Sequence, residues 1–232
     1  MSSETFELAP YVVSPEKIAF YRAHGWVVLE DVVSAAEVSR IKGIAEDMVS
    51  GRIDTRRNRA DLGAHADRAV SDVENIIQIA WPTDLTSALE ENELVQRARA
   101  VSEALYGSAP GSWALDMNQF LIKRERTLTD TPLHQDQSYY IPLRDARAVN
   151  LWLALVDVTE EMGCLWFEDS PIDAPARLRE HRAAGRGGGA LTCGEPDFAR
   201  MTPCPLRAGS VTVHSALTPH YAKGNASEKD CR

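Results

Sequence analysis

Apolar positions along this chain follow two regimes. In the first half they recur every three or four residues, the spacing of an amphipathic helix. Ser14-Pro15-Glu16 reads as a helix start, with serine as cap and proline in the first turn, followed by Ile18, Phe20 and Tyr21 and ended by Gly25. Trp26 to Leu29 reads as a short buried strand. A second helix opens at Ser34-Ala35-Ala36-Glu37, a capping-box pattern, carries Val38, Ile41, Ala45 and Met48 on one face, and stops at Gly51. A third is expected over Thr86 to Tyr106, with Leu89, Leu94, Val95, Ala98, Val101 and Leu105 facing inward. Between them, Ile53 to Ala69 is polar and holds Arg56, Arg57, Arg59 and Arg68, which predicts a loop. Such a loop either faces water or forms a lid that recognises an anionic substrate.

The second half changes period. Trp113 to Lys123, Val149 to Val158, Cys164 to Phe167 and Ser210 to His214 have strand-like composition and are separated by turn-forming residues. Arg182 to Gly189 contains four glycines and predicts a mobile loop between strands. Helices first and strands after give an α+β domain with a mainly β core, a barrel or sandwich buttressed by the N-terminal helices.

Composition narrows the function. At 232 residues the chain fits a single domain with a core of its own. Its net charge of −9 disfavours nucleic acid and anionic lipid as partners. No apolar stretch approaches the roughly 18–20 residues that span a bilayer, so no membrane segment is expected. The acidic start Met1-Ser2-Ser3-Glu4 does not resemble a secretion signal, and the expected location is the cytoplasm. Cys164, Cys193, Cys204 and Cys231 are scattered and read as free thiols.

The chemistry concentrates in His134-Gln135-Asp136. Alternation along a strand sends His134 and Asp136 into one cavity and Gln135 outward. A second histidine would complete the two-histidine, one-carboxylate set of a non-haem iron(II) site, which leaves a coordination face open. His214 and His220 both qualify. His220 is preferred because Asn225 and Arg232 follow it, which makes His214 a core or supporting imidazole. His24, His65 and His181 are expected to face solvent, and Asn225 to order a turn. Two other classes use such residues: a cupin-like isomerase or hydrolase with zinc or manganese, and a non-catalytic binding module.

Five blocks in order resemble the phytanoyl-CoA dioxygenase family of iron(II)- and 2-oxoglutarate-dependent oxygenases. They are Phe20 to Leu29, Leu133 to Tyr140, Asn150 to Leu155, Glu161 to Leu165, and Ala208 through His214 and His220 to Asn225. The resemblance implies a double-stranded β-helix, a jelly-roll or cupin-like barrel, holding Fe(II) on His134, Asp136 and His220. It further implies 2-oxoglutarate and O2 as cosubstrates, Arg232 gripping the far carboxylate of 2-oxoglutarate, and Trp152, Gln119 and Lys123 lining its pocket. Gln137, Tyr139 and Tyr221 are candidates for contact with a small-molecule substrate. Three departures stand out: Tyr221-Ala222 replaces a common Gly-Ser or Gly-Thr pair, the arginine sits one residue late, and the final barrel strand or strands are expected to be missing. Related halogenases carry a small residue at the carboxylate position, so Asp136 favours hydroxylation, with release of succinate and CO2.

Overall fold

In the computed structural model the described residues are 11–63, 74–90, 92–140, 147–174, 177–185 and 189–231. Helix α1 (Pro15–His24) starts where the Ser14 side chain accepts from the Lys17 N–H and ends at Gly25, with φ 79°. That glycine is required twice over: its backbone is left-handed, and a Cβ would lie 2.2 Å from the Ser170 carbonyl oxygen and 2.8 Å from Thr218 Oγ1. Strand β1 (Trp26–Leu29) and helix α2 (Ala35–Val49) follow, with Val38, Ile41, Ala45 and Met48 buried as their spacing predicts.

The capping box at α2 is only half formed. Ser34 Oγ accepts from Glu37 N at 3.2 Å, but the Glu37 carboxylate turns to Arg40 instead of reaching back. The Ser34 N–H goes to Glu93, at the start of α3 (Glu93–Tyr106), at 2.8 Å. The helix expected from Thr86 is therefore shorter. A 3-10 turn over Ser87–Leu89 comes first, and Asn92, whose side chain accepts from Val95 N at 3.0 Å, caps a new start.

The remaining strands are β2 (Arg59–Asp61), β3 (Ile76–Ala80), β4 (Gln119–Lys123), β5 (Thr131–His134), β6 (Val149–Leu153), β7 (Leu165–Glu168), β8 (Arg182–Ala183), β9 (Leu191–Thr192), β10 (Met201–Cys204), β11 (Val211–Ser215) and β12 (His220–Ala222). They form sheets in the orders β1-β11-β6, β10-β7-β12-β5, β2-β3-β4 and β8-β9. Val27, Leu29, Val211, Val213, Ile77, Ile79 and Ile122 share one core with Val38, Ile41 and Met48 of α2 and Val101 and Leu105 of α3. Burying each such side chain is worth about 1.5–3 kcal/mol. On the other face of the first sheet, Trp26 stacks on Phe167 of β7 at 5.4 Å between ring centroids and shares a cluster with Cys204 of β10. The β1-β11-β6 and β10-β7-β12-β5 sheets thus face each other, and β11 is buried along its whole length.

Several expectations are corrected. Only Gln119–Lys123 of the Trp113 to Lys123 stretch is a strand, because its partner β3 ends at Ala80, opposite Gln119. The strand within Val149 to Val158 likewise stops at Leu153. Strands β3, β10 and β12 were not anticipated. The Ile53 to Ala69 loop contains β2, and residues 64–69 of it, with His65 and Arg68, lie outside the described residues. Two of its arginines are paired. Arg59 pairs with Glu74 and donates to the Val49 carbonyl at 3.1 Å, closing the end of α2, while Arg56 pairs with Asp54. The glycine-rich stretch opens with β8, which pairs with β9, and residues 186–188 lie outside the description. All four cysteines are free thiols.

Candidate metal centre

His134 ends β5 and His220 begins β12, and the two are direct partners across an antiparallel pair. Their rings stand 4.2 Å apart between centroids. Asp136 opens the 3-10 helix Asp136–Tyr139, and Gln135 before it is still extended, at φ −121° and ψ 129°. Strand alternation therefore continues past the end of β5 and brings the carboxylate beside the imidazoles. Asp136 Oδ1 is 3.4 Å from His134 Nε2 and 3.6 Å from His220 Nε2.

Each imidazole is oriented from behind. His134 Nδ1 lies 2.7 Å from the Pro132 carbonyl oxygen, and His220 Nδ1 lies 3.0 Å from that of Thr218. A carbonyl only accepts, so Nδ1 carries the hydrogen and the Nε2 lone pair is left for a metal. The loop before His220 is fixed in turn, since Thr218 Oγ1 donates to the Gly25 carbonyl at 2.7 Å. The corner between α1 and β1 thus sets the approach to the distal histidine.

The carboxylate is clamped on its other oxygen. Asn150 Nδ2 donates to Asp136 Oδ2 at 2.6 Å and His214 Nε2 lies 3.0 Å from it, which leaves Oδ1 facing the two imidazoles. Burial by itself would raise the Asp136 carboxyl, yet His220, His134 and His214 around it hold it well below the usual range. Burial opposes charge on His134 but the Asp136 carboxylate outweighs it and raises that imidazole, whereas burial dominates at His220 and brings it down to about 3. Two imidazole nitrogens and a carboxylate oxygen, all within 4.8 Å of one another, fit the donor set of a divalent transition metal.

The other predicted residues fall in varied places. Trp152 is half-buried on the Asn150 face of β6, opposite Thr212 of β11. Lys123 is buried, with its ammonium on the Ala222 carbonyl at 3.2 Å and on that of Lys223. Gln119 is exposed at the far end of β4, its amide bonded to Gln78 at 2.6 Å. Gln137 is buried, and its Oε1 finds no hydrogen-bond partner among the described residues. Tyr139 is 48% exposed and sets its ring edge against His134 at 5.8 Å. Tyr221 does not join the His220 face: it packs on Phe198 and donates to Asp130 at 3.1 Å, because successive residues of β12 point opposite ways. Arg232 lies outside the described residues, although Cys231 before it pairs with Lys123 of β4 through 3.0 and 2.9 Å backbone bonds.

Two imidazoles expected at the surface have partners. His24 meets Asp169 at 2.9 Å, and His181 Nε2 accepts from Gln135 N at 3.1 Å. Gln135 points away from the ligands as expected, into a second buried region, and is 1% exposed. Asn225 orders its turn as expected, bonding the Lys229 carbonyl at 2.6 Å. Asn150 was missed as a site residue; the available signal was its parity with Trp152 on a strand predicted to line the pocket. Next to the site, at the edge of β5 away from β12, Arg179, His181, Arg182, Thr192 and Cys193 line a cleft of about 400 Å³.

The family model for phytanoyl-CoA dioxygenase matches residues 21–232. The chain belongs to the phytanoyl-CoA dioxygenase family. That family is one of iron(II)- and 2-oxoglutarate-dependent dioxygenases. Phytanoyl-CoA dioxygenase domain-containing protein 1 of Bos taurus is 28% identical over 116 residues, which are 48% of this chain and 40% of that relative. This family chain also resembles the crystal structure of EvdO2 from Micromonospora carbonacea var. aurantiaca, with TM-score 0.73 and 25% identity over 96% of this chain and 89% of that one. Similar too is SnoK, a non-heme alpha ketoglutarate dependent carbocyclase from nogalamycin biosynthesis, with TM-score 0.73 and 24% identity over 96% and 83% of the two chains. These matches show the cupin-like fold expected of the family, two facing sheets with helices outside. No helix among the described residues is long and apolar enough to cross a membrane.

Proposed function

We propose that this dioxygenase oxidises a C–H bond of a small-molecule substrate by hydroxylation, with iron held by His134, Asp136 and His220. The observation that carries the reading is the donor set: two Nε2 lone pairs, freed by carbonyls behind each ring, meet one oxygen of a carboxylate whose other oxygen is occupied. EvdO2 has also been crystallised with 2-oxoglutarate, and EctD of S. alaskensis with 2-oxoglutarate and 5-hydroxyectoine, which supports the cosubstrate and a hydroxylated small molecule as ligand.

Iron(II) with 2-oxoglutarate and dioxygen supplies the oxidising power, with succinate and carbon dioxide as coproducts. The protein's own contribution is geometric. Pro132 and Thr218 fix the ring tautomers, and Asn150 and His214 hold the carboxylate so that it offers a single oxygen. His134 and His220 are buried and the Asp136 side chain is 17% exposed, which limits the access of bulk water. Asp136 fills the place that a halide needs in halogenases, which favours hydroxylation over halogenation. Trp152 and Lys123 are proposed to line the 2-oxoglutarate pocket, with Arg232 binding its far carboxylate; Gln137 and Tyr139 are proposed to face substrate.

The test is an anaerobic titration of Fe(II) and 2-oxoglutarate, followed by the weak visible charge-transfer absorption of a chelated keto acid. A band in the wild type and none in His134→Ala supports the ligand assignment. Bound iron without any band removes the proposed cosubstrate binding.

A further inference from the structure

Gln135 lies between two proposed ligands yet faces away from them, and its environment is unlike that of a surface glutamine. Its Nε2 donates to the carbonyls of Leu217 at 2.6 Å and Arg177 at 3.1 Å, and its Oε1 accepts from Arg179 N at 2.7 Å. Its backbone N–H donates to His181 Nε2 at 3.1 Å, and His181 Nδ1 lies 2.8 Å from the Arg179 carbonyl oxygen. One buried residue thus holds the segment 177–181 at three points, two on its backbone and one on the His181 ring. Through Leu217 it also holds the loop that leads into His220.

The neighbouring hairpin is docked on the same strand. Cys193 N and Thr192 Oγ1 both donate to the Leu133 carbonyl, at 2.9 and 3.1 Å, and Leu191 N donates to Tyr139 Oη at 2.9 Å. The residues between and beside the ligands therefore hold, on their other side, the segment whose Arg179, His181 and Arg182 line the cleft at the edge of β5. Loops of this kind, set on a rigid scaffold, commonly decide what reaches a site.

We infer that Gln135 is a positioning residue that couples the segment 177–183, as a specificity wall, to the metal strand and to the His220 loop. The inference rests on the oxygenase reading for its purpose. Its physical basis is that a saturated buried amide resists displacement, because moving either partner strands groups that water cannot reach. A metal bound at His134 and His220 would stiffen β5 and the Leu217 loop together, so the segment between them should stiffen too.

The experiment is limited trypsin digestion of the full chain, reading cleavage after Arg177, Arg179 and Arg182 by mass spectrometry, with and without Fe(II) and 2-oxoglutarate under anaerobic conditions. In the wild type the added metal and cosubstrate should slow cleavage about fivefold or more. In Gln135→Met, of similar length but without the amide, basal cleavage should rise about tenfold and lose that response, while the charge-transfer band still forms. Tyr139→Phe, which removes only the contact to the hairpin, should keep the response. Cleavage of Gln135→Met at the wild-type rate, or slowed by metal as in the wild type, overturns the proposal. If Gln135→Met does not fold, hydrogen exchange on the wild type decides: amides of 177–183 must gain protection on adding Fe(II), and unchanged exchange overturns the coupling. A wild type that shows metal-linked protection but no charge-transfer band leaves the coupling standing and sinks the cosubstrate reading instead.

Discussion

The β1-β11-β6 and β10-β7-β12-β5 sheets face each other across the same interior but are built by different rules. The first alternates cleanly: Val27, Leu29, Val211 and Val213 go to the helix-covered core, and Thr212 and His214 go inward. The second has strands of three or four residues and buries His134, Glu168 and His220. Buried polar groups cost free energy unless partnered, and here each is held: the imidazoles by carbonyls, Glu168 by Arg179 at 2.7 Å and Arg200 at 3.1 Å. Stability should therefore reside mainly in the first sheet and its helices, and chemistry in the second.

The largest effect that can break this division is loss of a ligand. His134→Ala and Asp136→Ala should abolish 2-oxoglutarate turnover, read as succinate release, while thermal unfolding stays close to the wild type. Full activity in both variants would remove the ligand assignment, and collapse of the fold would show that the second sheet is a stability element after all. The converse variant is Leu29→Ala, in the first sheet and the helix-covered core. It should cost about 2–5 kcal/mol in urea unfolding, the range for truncating a buried leucine, with activity per folded molecule retained. A smaller effect tests the link between sheets. Asn150 belongs to β6 of the first sheet but clamps Asp136 Oδ2, so Asn150→Ala should weaken iron binding by about 10–100-fold with little change in stability. Unchanged iron affinity would mean that His214 alone orients the carboxylate.

The same division explains what was readable beforehand. Helices α1 and α2 and strands β1 and β11 were legible because caps and apolar spacing are local and act in one direction. Strands β10 and β12 were not, since Met201-Thr202-Pro203-Cys204 and His220-Tyr221-Ala222 have neither length nor apolar alternation; their neighbours in the sheet make them strands. At the site, His134, Asp136 and His220 were found because residue chemistry and strand parity suffice to propose a ligand set. The partners behind them were harder. Asn150 meets Asp136 only through tertiary packing, and for Gln135 alternation gave the outward face but not what lies beyond it. For the basic loop, charge in sequence pointed to a solvated surface, as the exposed Arg56 has it, but did not reveal the pairings of Arg59 with Glu74 and Arg56 with Asp54.

The smallest expected effect concerns thiols within the folded core. Burial pushes Cys204 up to about 12 and Cys164 and Cys231 up to about 11, while Cys193, beside Arg179, is only half-buried. A raised value in the folded state means that folding retains protons which the unfolded chain releases above its ordinary value of 9.0. The stabilisation is thus fully present below that pH and is lost as pH climbs toward the folded values. Urea midpoints should hold level up to about pH 9 and then decline, less steeply in Cys204→Val than in the wild type. At about pH 8 a thiol reagent should modify Cys193 first and reach the other three only on unfolding, because the thiolate is the reactive form and a thiol titrating near 12 is about one part in ten thousand ionised there. Rapid labelling of all four cysteines in the native protein would show that the space between the sheets opens readily, and the contrast between a rigid scaffold and a buried polar site would have to be redrawn.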